Sequence, residues 1–327
     1  MTAAAKACSS ASGRPAGGAW VSAAGPGKLI LLAVLGASHV SCLFAPPTTT
    51  ATSATTAAVC QLRDARITEA SGIAASRRYV GLYYVHNDSG DKPQVYVVDR
   101  EGRTRATIRL RGASAIDYED ISLAPGAKPG TFDVCAADIG DNNARRPNVV
   151  IYRFPEPELD TSRTAEVTID VEAAAFRVRY ADGPANAEAF CVHPHTGDGY
   201  ILTKRIDGTS RVYKLTAPWD ATHETELARL ATVELPPATG LARVVTAADI
   251  APDGRQLAVR CYFDGWEWQL PADAKEADFD DIFKLPPTRL SLPAEPQGEG
   301  LCYSVDGKSF LTISEGASPT LYETSAP

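Results

Sequence analysis

The 327-residue chain predicts an all-β protein, a five-bladed β-propeller closed by an N-terminal strand. Three observations carry that expectation. From Cys60 onward, short runs rich in Val, Ile, Tyr and Leu alternate with Gly, Pro, Asp and Asn turns, with few helical periods. Five segments repeat one pattern at the head of a strand-like run: Ser71-Gly72-Ile73, Glu119-Asp120-Ile121, Glu188-Ala189-Phe190, Ala248-Asp249-Ile250 and Glu299-Gly300-Leu301. Their first positions lie 48, 69, 60 and 51 residues apart, a period typical of propellers and solenoids. The last unit is one strand short, and Cys60–Thr68, ahead of the first repeat, is one strand in surplus. Lending that strand to the last blade closes the ring and removes two open edges. The alternatives are a sixth blade hidden in the long second unit and a two-domain sandwich.

Taken in order, residues 1–42 read as a leader. Lys6, Arg14 and Lys28 are its only charges, and Leu29–Ala37 is an apolar run too short for a membrane span but suited to a signal-peptide core. Val40-Ser41-Cys42 offers a bacterial lipoprotein cleavage pattern with Cys42 as the anchor, although His39 stands where an aliphatic residue is usual. Residues 43–59, rich in Thr, Ala and Pro, read as a flexible linker, and 60–327 as the propeller. Localisation is expected to be secreted or attached to the cell envelope, with the lipid at Cys42 as the sole membrane contact. The first blade is expected from Ser71–Ala75, Gly81–His86, Gln94–Asp99 and Thr104–Leu110. The second takes Ile121–Ala124, Phe132–Ala137, Val149–Phe154, then Glu166–Val171 with Phe176–Tyr180. The third takes Tyr200–Lys204, Arg211–Leu215 and Glu226–Leu235; the fourth, Gln256–Tyr262 and Trp266–Leu270; the fifth, Ser309–Ser314 and Thr320–Glu323.

A net charge of −8 argues against nucleic-acid binding, which wants a basic face, and is compatible with divalent cations. The hydrophobic fraction of 44% supplies a large core, and the protein is expected to be a monomer. Of seven cysteines, Cys60, Cys135, Cys191, Cys261 and Cys302 lie beyond the leader. An exported protein permits disulfides, but Cys191 and Cys302 each fall three residues after a repeat glutamate, which reads as a recurring buried strand position.

In a propeller the innermost strands line the central channel, so matching positions form a ring. That ring is expected to hold Ser71, Glu119, Glu188, Ala248 through its carbonyl alone, and Glu299. Three carboxylates brought together out of water need neutralising, and a hard divalent ion that accepts six to eight oxygens does so best; calcium is the expected cofactor. Asp120 and Asp249 would point to the other side of the strand and bond to turns. A second set lies at the ends of the second strands: Asp88, Asp138, Asp141, Asn142, Arg145, Lys204, Arg205, Arg260 and Glu315. Here acids alternate with bases able to hold phosphate oxygens, so a small anionic ligand is the expected partner. His193 and His195 flank a proline in an expected surface turn, and Trp266 and Trp268 share one side of a strand, as blade packing would have them.

The order Ser, Glu, Glu, Ala, Glu resembles that of the calcium-activated nucleotidases (apyrases). It is carried by Ser71-Gly72-Ile73, Tyr118-Glu119-Asp120, Ala187-Glu188-Ala189 and Gly298-Glu299-Gly300. The chain also resembles the esterase-like phytase group and exported actinobacterial proteins with similar Asn87-Asp88-Ser89-Gly90, Asp138-Ile139-Gly140-Asp141-Asn142 and Gln297-Gly298-Glu299 blocks. The resemblance implies five blades around a central calcium held by Ser, Glu, Glu, Ser, Glu; Ala248 departs from the family's Ser. The expected activity is calcium-dependent hydrolysis of a small phosphoester. A non-catalytic envelope module with a structural calcium and a lactonase or esterase are the alternatives.

Overall fold

The computed structural model describes residues 54–236 and 243–326. The expected leader, its Cys42 and linker residues 43–53 lie outside the described residues. β1 (Thr56–Gln61) comes first and finds its partner at the end of the chain. β2 (Ala70–Ala75), β3 (Leu82–Asn87), β4 (Gln94–Asp99) and β5 (Thr104–Arg111) form the first blade. β6 (Tyr118–Pro125), β7 (Phe132–Asp138) and β8 (Val149–Pro155) begin the second. β9 (Val167–Glu172) then crosses back and pairs parallel with β5, and β10 (Ala174–Tyr180) returns to pair with β8. β11 (Ala187–Val192), β12 (Gly199–Thr203) and β13 (Thr209–Leu215) open the third blade. β14 (Thr225–Leu227) again crosses back, parallel to β10, before β15 (Arg229–Glu234) completes the third blade. β16 (Val245–Ile250), β17 (Gln256–Cys261), β18 (Gly265–Gln269) and β19 (Thr288–Leu290) make the fourth, interrupted by a 3-10 helical stretch at Glu276–Lys284. β20 (Gly298–Tyr303), β21 (Ser309–Ser314) and β22 (Thr320–Ser325) make the fifth, and β1 lies antiparallel to β22 as its fourth strand.

The inner strands β2, β6, β11, β16 and β20 touch in that cyclic order, β20 meeting β2, so five blades close the ring. The closing strand begins at Thr56 rather than Cys60: the end of the expected linker is itself strand, and residues 62–68 lead to the first blade. Two other strands depart from the expected grouping. β9 guards the outer edge of the first blade and β14 that of the second, so each of these blades has five strands, the last a parallel loan from further along the chain. Both cover an edge that would otherwise offer unpaired N–H and C=O groups.

Cores lie between blades. Tyr84, Val97 and Ile108 of the first pack with Tyr118, Ile121 and Val134 of the second, and Phe190 and Ile201 of the third with Ile151 and Val178 of the second. Each fully buried side chain of this size contributes about 1.5–3 kcal/mol. Cys135, Cys191, Cys261 and Cys302 are buried free thiols within such clusters, and Cys60 is a half-buried one. Trp266 and Trp268 are buried in the same way. His193 is buried too, against expectation: its ring lies 4.8 Å from that of Phe279, and Nε2 meets the Gly254 carbonyl at 3.1 Å.

Candidate metal centre at the bulged end of the inner strands

All five inner strands carry a β-bulge at the same end. The residues left unpaired are Ser71, Glu119, Glu188, Thr246 and Glu299. A bulge re-aims the side chain of its extra residue and recurs at strand ends beside functional sites. The fifth ring member is therefore Thr246, not Ala248. Ala248 lies two residues further along β16, in the core, and donates its N–H to Asp120 Oδ2 at 3.1 Å. The ring thus has a hydroxyl where alanine had left only a carbonyl. Both hydroxyls tie blades together: Ser71 Oγ donates to the Glu119 carbonyl at 2.7 Å, and Thr246 Oγ1 to the Gly298 carbonyl at 2.9 Å.

Asp120 and Asp249 do not bond turns. Asp120 is fully buried and accepts N–H groups from Ile121 (2.9 Å), Phe190 (2.9 Å) and Ala248 (3.1 Å), joining three inner strands. Asp249 accepts from Tyr303 N–H at 2.9 Å, and Ser122 Oγ from Val192 N–H at 3.1 Å. Burial holds the Asp120 carboxyl well above its ordinary range despite its three donors, and lifts Asp249 to about 6.

The three ring glutamates are only 2–3% exposed. They are not equivalent. Lys204 Nζ sits 2.8 Å from Glu188 Oε1 and lies over the Tyr262 ring at 5.0 Å. Asn186 Nδ2 donates to the same Glu188 oxygen at 3.1 Å. Glu299 Oε1 takes a 3.3 Å bond from Gln297 Nε2, which also reaches Glu315 Oε2 at 2.5 Å; Glu299 Oε2 is buried with no partner. Glu119 instead joins Asp88 and Asp117: one ligand oxygen from each lies within 4.8 Å of the others. Oxygens on opposite sides of a calcium ion stand about 5 Å apart, since each bond is about 2.3–2.6 Å long. Among the described residues this set could grip one cation, off centre between the first two blades. Gly140 lets it form, because a Cβ there would collide with the carboxylates of both Glu119 and Asp117.

The acids hold one another's protons. Burial, then the charge of Glu188, pushes Glu119 well above the carboxylate range and Glu299 up to about 8. Burial, then Asp88, lifts Asp117 to about 6 and Glu315 to about 7. Burial also raises Glu188, partly offset by Lys204. For Lys204, burial opposes the charge, but Glu188 and Tyr262 outweigh it and leave the ammonium above the usual lysine range.

The second expected set disperses. Asp88, Lys204 and Glu315 do occupy one register position, each just past the second-strand residue that pairs ahead of the bulge. Of the other bases, Arg260 and Arg205 are committed elsewhere. Arg260 is buried, bonded to Glu295 Oε2 at 2.6 Å and to the Gly300 carbonyl at 3.3 Å, so it braces the Glu299 bulge from behind. Arg205 pairs with Asp207 at the surface, and Arg145 is exposed. Asp138 is buried as a structural acceptor for Asp117 N–H (3.0 Å) and Arg146 Nη1 (2.7 Å). Asp141 accepts the Arg146 N–H at 2.7 Å, and Asn142 accepts from Asn186 Nδ2 at 3.2 Å. Sequence reasoning missed Asp117 and Thr246. Asp117 lies just ahead of β6 and Glu119 is its bulged residue, so strand alternation does not link the two.

No protein-family model matches the chain, and no curated protein matches its sequence.

Proposed function

We propose that this is an exported propeller that binds calcium at the bulged end of its inner strands, the ion tying the first two blades together and leaving an open side for a ligand. The observation that carries the reading is the Asp88–Asp117–Glu119 set, three carboxylates spaced for one cation. The orphaned Glu299 Oε2 nearby adds a second sign of unmet positive charge. Burying acids this close is costly unless a counter-ion is present, and Lys204 supplies only one charge, to Glu188. Export rests on the composition of residues 1–42. The test is thermal unfolding of the mature domain in calcium and in EGTA. Calcium should raise the melting temperature of the wild type and leave that of Glu119→Gln where it stands in EGTA; equal melting of the wild type in both buffers would sink the reading.

A second reading, calcium-assisted hydrolysis of a small phosphoester, draws on Lys204 beside the ring and on Glu315, whose carboxyl titrates near neutrality. A cation would polarise the phosphoryl oxygen and Lys204 would hold its charge. Calcium-dependent phosphate release, lost in Lys204→Met, supports it; no release from any phosphoester leaves the calcium-binding module.

A further inference from the structure

The open end of the β11–β12 hairpin brings an amine, an amide and a buried carboxylate together. Asn186, just ahead of β11, lies opposite Lys204, just past β12: the Lys204 N–H donates to the Asn186 carbonyl at 3.0 Å. Residues directly opposite on antiparallel strands put their side chains on the same face. Glu188, the bulged residue, touches both. Its Oε1 lies 2.8 Å from Lys204 Nζ and accepts from Asn186 Nδ2 at 3.1 Å, so the amine and the amide nitrogen meet on one oxygen. The amide is also held from its other sides. Asp141 N–H donates to Asn186 Oδ1 at 2.6 Å, and Nδ2 donates to Asn142 Oδ1 at 3.2 Å. An amine displaces ammonia from an amide when a proton carrier reaches both nitrogens and a donor meets the charge that builds on the amide oxygen. Lys204, Asn186, Glu188 and the Asp141 N–H fill those roles, and fixing them on neighbouring strands removes the entropy cost of bringing them together.

We propose that Lys204 and Asn186 join in an isopeptide bond, a covalent tie across the bulged end of the third blade. Glu188 Oε1 takes a proton from Lys204 Nζ, and the freed amine attacks Asn186 Cγ. Negative charge gathers on Oδ1, where the Asp141 N–H meets it. Glu188 then passes its proton to Nδ2 and takes a second from the attacking nitrogen. The Cγ–Nδ2 bond breaks as the carbonyl reforms, and ammonia departs. An amine and a carboxamide thus become a substituted amide and ammonia, with nothing oxidised or reduced. The resting pair is an ammonium and a carboxylate, so the step draws on its proton-transferred form and is slow and single-turnover. The tie closes a loop of chain from 186 to 204 and constrains the unfolded state as a disulfide does, in a protein whose described cysteines are all free. It consumes the Lys204 ammonium, so the readings above that use that charge apply to the chain before closure.

Mass spectrometry of the mature protein, held folded in EGTA at neutral pH and then denatured, tests it. The chain should weigh about 17 Da less than its sequence, the mass of one ammonia. Trypsin should fail to cut after Lys204 and release one peptide, 180–205, that carries the loss. Lys204→Arg and Glu188→Gln should both keep the full mass, and Lys204→Arg should be cut after residue 204. Wild type at full mass overturns the proposal, and this outcome needs no variant to fold. So does a loss that survives in Lys204→Arg, which would mark a succinimide at an asparagine, or one that survives in Glu188→Gln, which would leave the step without its proton carrier. The mass and the calcium response are read separately, so either can fail without the other.

Discussion

At the bulged end of the inner strands, Asp88, Asp117, Glu119, Glu188, Glu299 and Glu315 cluster, with Lys204 paired to Glu188 and the Arg146 charge acting on Asp117. At the opposite end, among the described residues, the Arg77 and Lys128 side chains make no hydrogen bond or ion pair, Arg77 acts through space on buried Asp249, and Glu156 keeps one buried oxygen without a donor. The same five strands run through both ends, so the contrast is not one of architecture. It is set by which residue each strand leaves over. At the first end the bulges turn acids inward, where burial makes their charge costly and a cation welcome. At the second end the strands finish in turns, where long basic side chains reach a groove between blades.

The largest expected effect comes from Asp120, the residue next to the Glu119 bulge. Asp120→Ala would orphan the buried N–H groups of Ile121, Phe190 and Ala248. Stability in urea should fall by about 3–5 kcal/mol. A loss below about 1 kcal/mol would show that these three N–H groups do not depend on the Asp120 carboxylate. Next is Gly140→Ala, which fills the space that Glu119 and Asp117 occupy. At calcium one hundred times the dissociation constant, the ion should stabilise the wild type by about 2.7 kcal/mol, and this increment should vanish in the variant. The fold itself should survive, as the circular dichroism spectrum in EGTA would report.

The pH response sharpens the comparison further. In metal-free protein Glu299, Glu315 and Asp117 have folded pKa values of about 8, 7 and 6, above the ordinary 4.5, 4.5 and 3.8. The native state then binds more protons than the unfolded chain between those values, so stability must fall as pH rises from about 4 through 8. Calcium, which replaces those protons, should flatten the slope; denaturant midpoints measured along the pH range in EGTA and in calcium would reveal it. A slope that calcium leaves unchanged would place the titrating acids outside the metal centre. The smallest effect is Lys204→Met. Removing the resident charge should tighten calcium binding by about tenfold, roughly 1.4 kcal/mol, while lowering stability in EGTA because Glu188 loses its partner. Weaker calcium binding in this variant would mean that Lys204 supports the ion rather than competing with it.

Much of this was legible in the residues. Alternating apolar runs and their spacing showed five blades, and the missing and surplus strands showed the closure, because both follow from local periodicity and strand counting. The exchanged strands β9 and β14 were not legible. Their alternation suits any exposed edge, and nothing local says which blade will take them. The five bulges fall at Ser71, Glu119, Glu188, Thr246 and Glu299, whereas the sequence had pointed to Ala248 in the fourth blade. A strand has a period of two, so sliding the alignment by two residues keeps every side chain on its face. The likeness of Ala248-Asp249-Ile250 to Glu119-Asp120-Ile121 then drew the alignment past Thr246. Only the bulge, a feature of the pairing and not of the single strand, separates the two registers.

By itself the sequence determined the blade count and the closure of the ring by a strand from the N-terminal side, since both follow from short-range pattern and strand counting. The tertiary structure alone decided which acids lie close enough to hold one cation and which have other partners. Glu188 goes to Lys204, Glu299 to Gln297, and Glu119 to Asp88 and Asp117, three different fates for one residue type at one register. Their partners come from other strands or loops, up to 31 residues away for Asp88 and Glu119, and a carboxylate's charge depends on what burial and neighbours do to it, which no local pattern encodes.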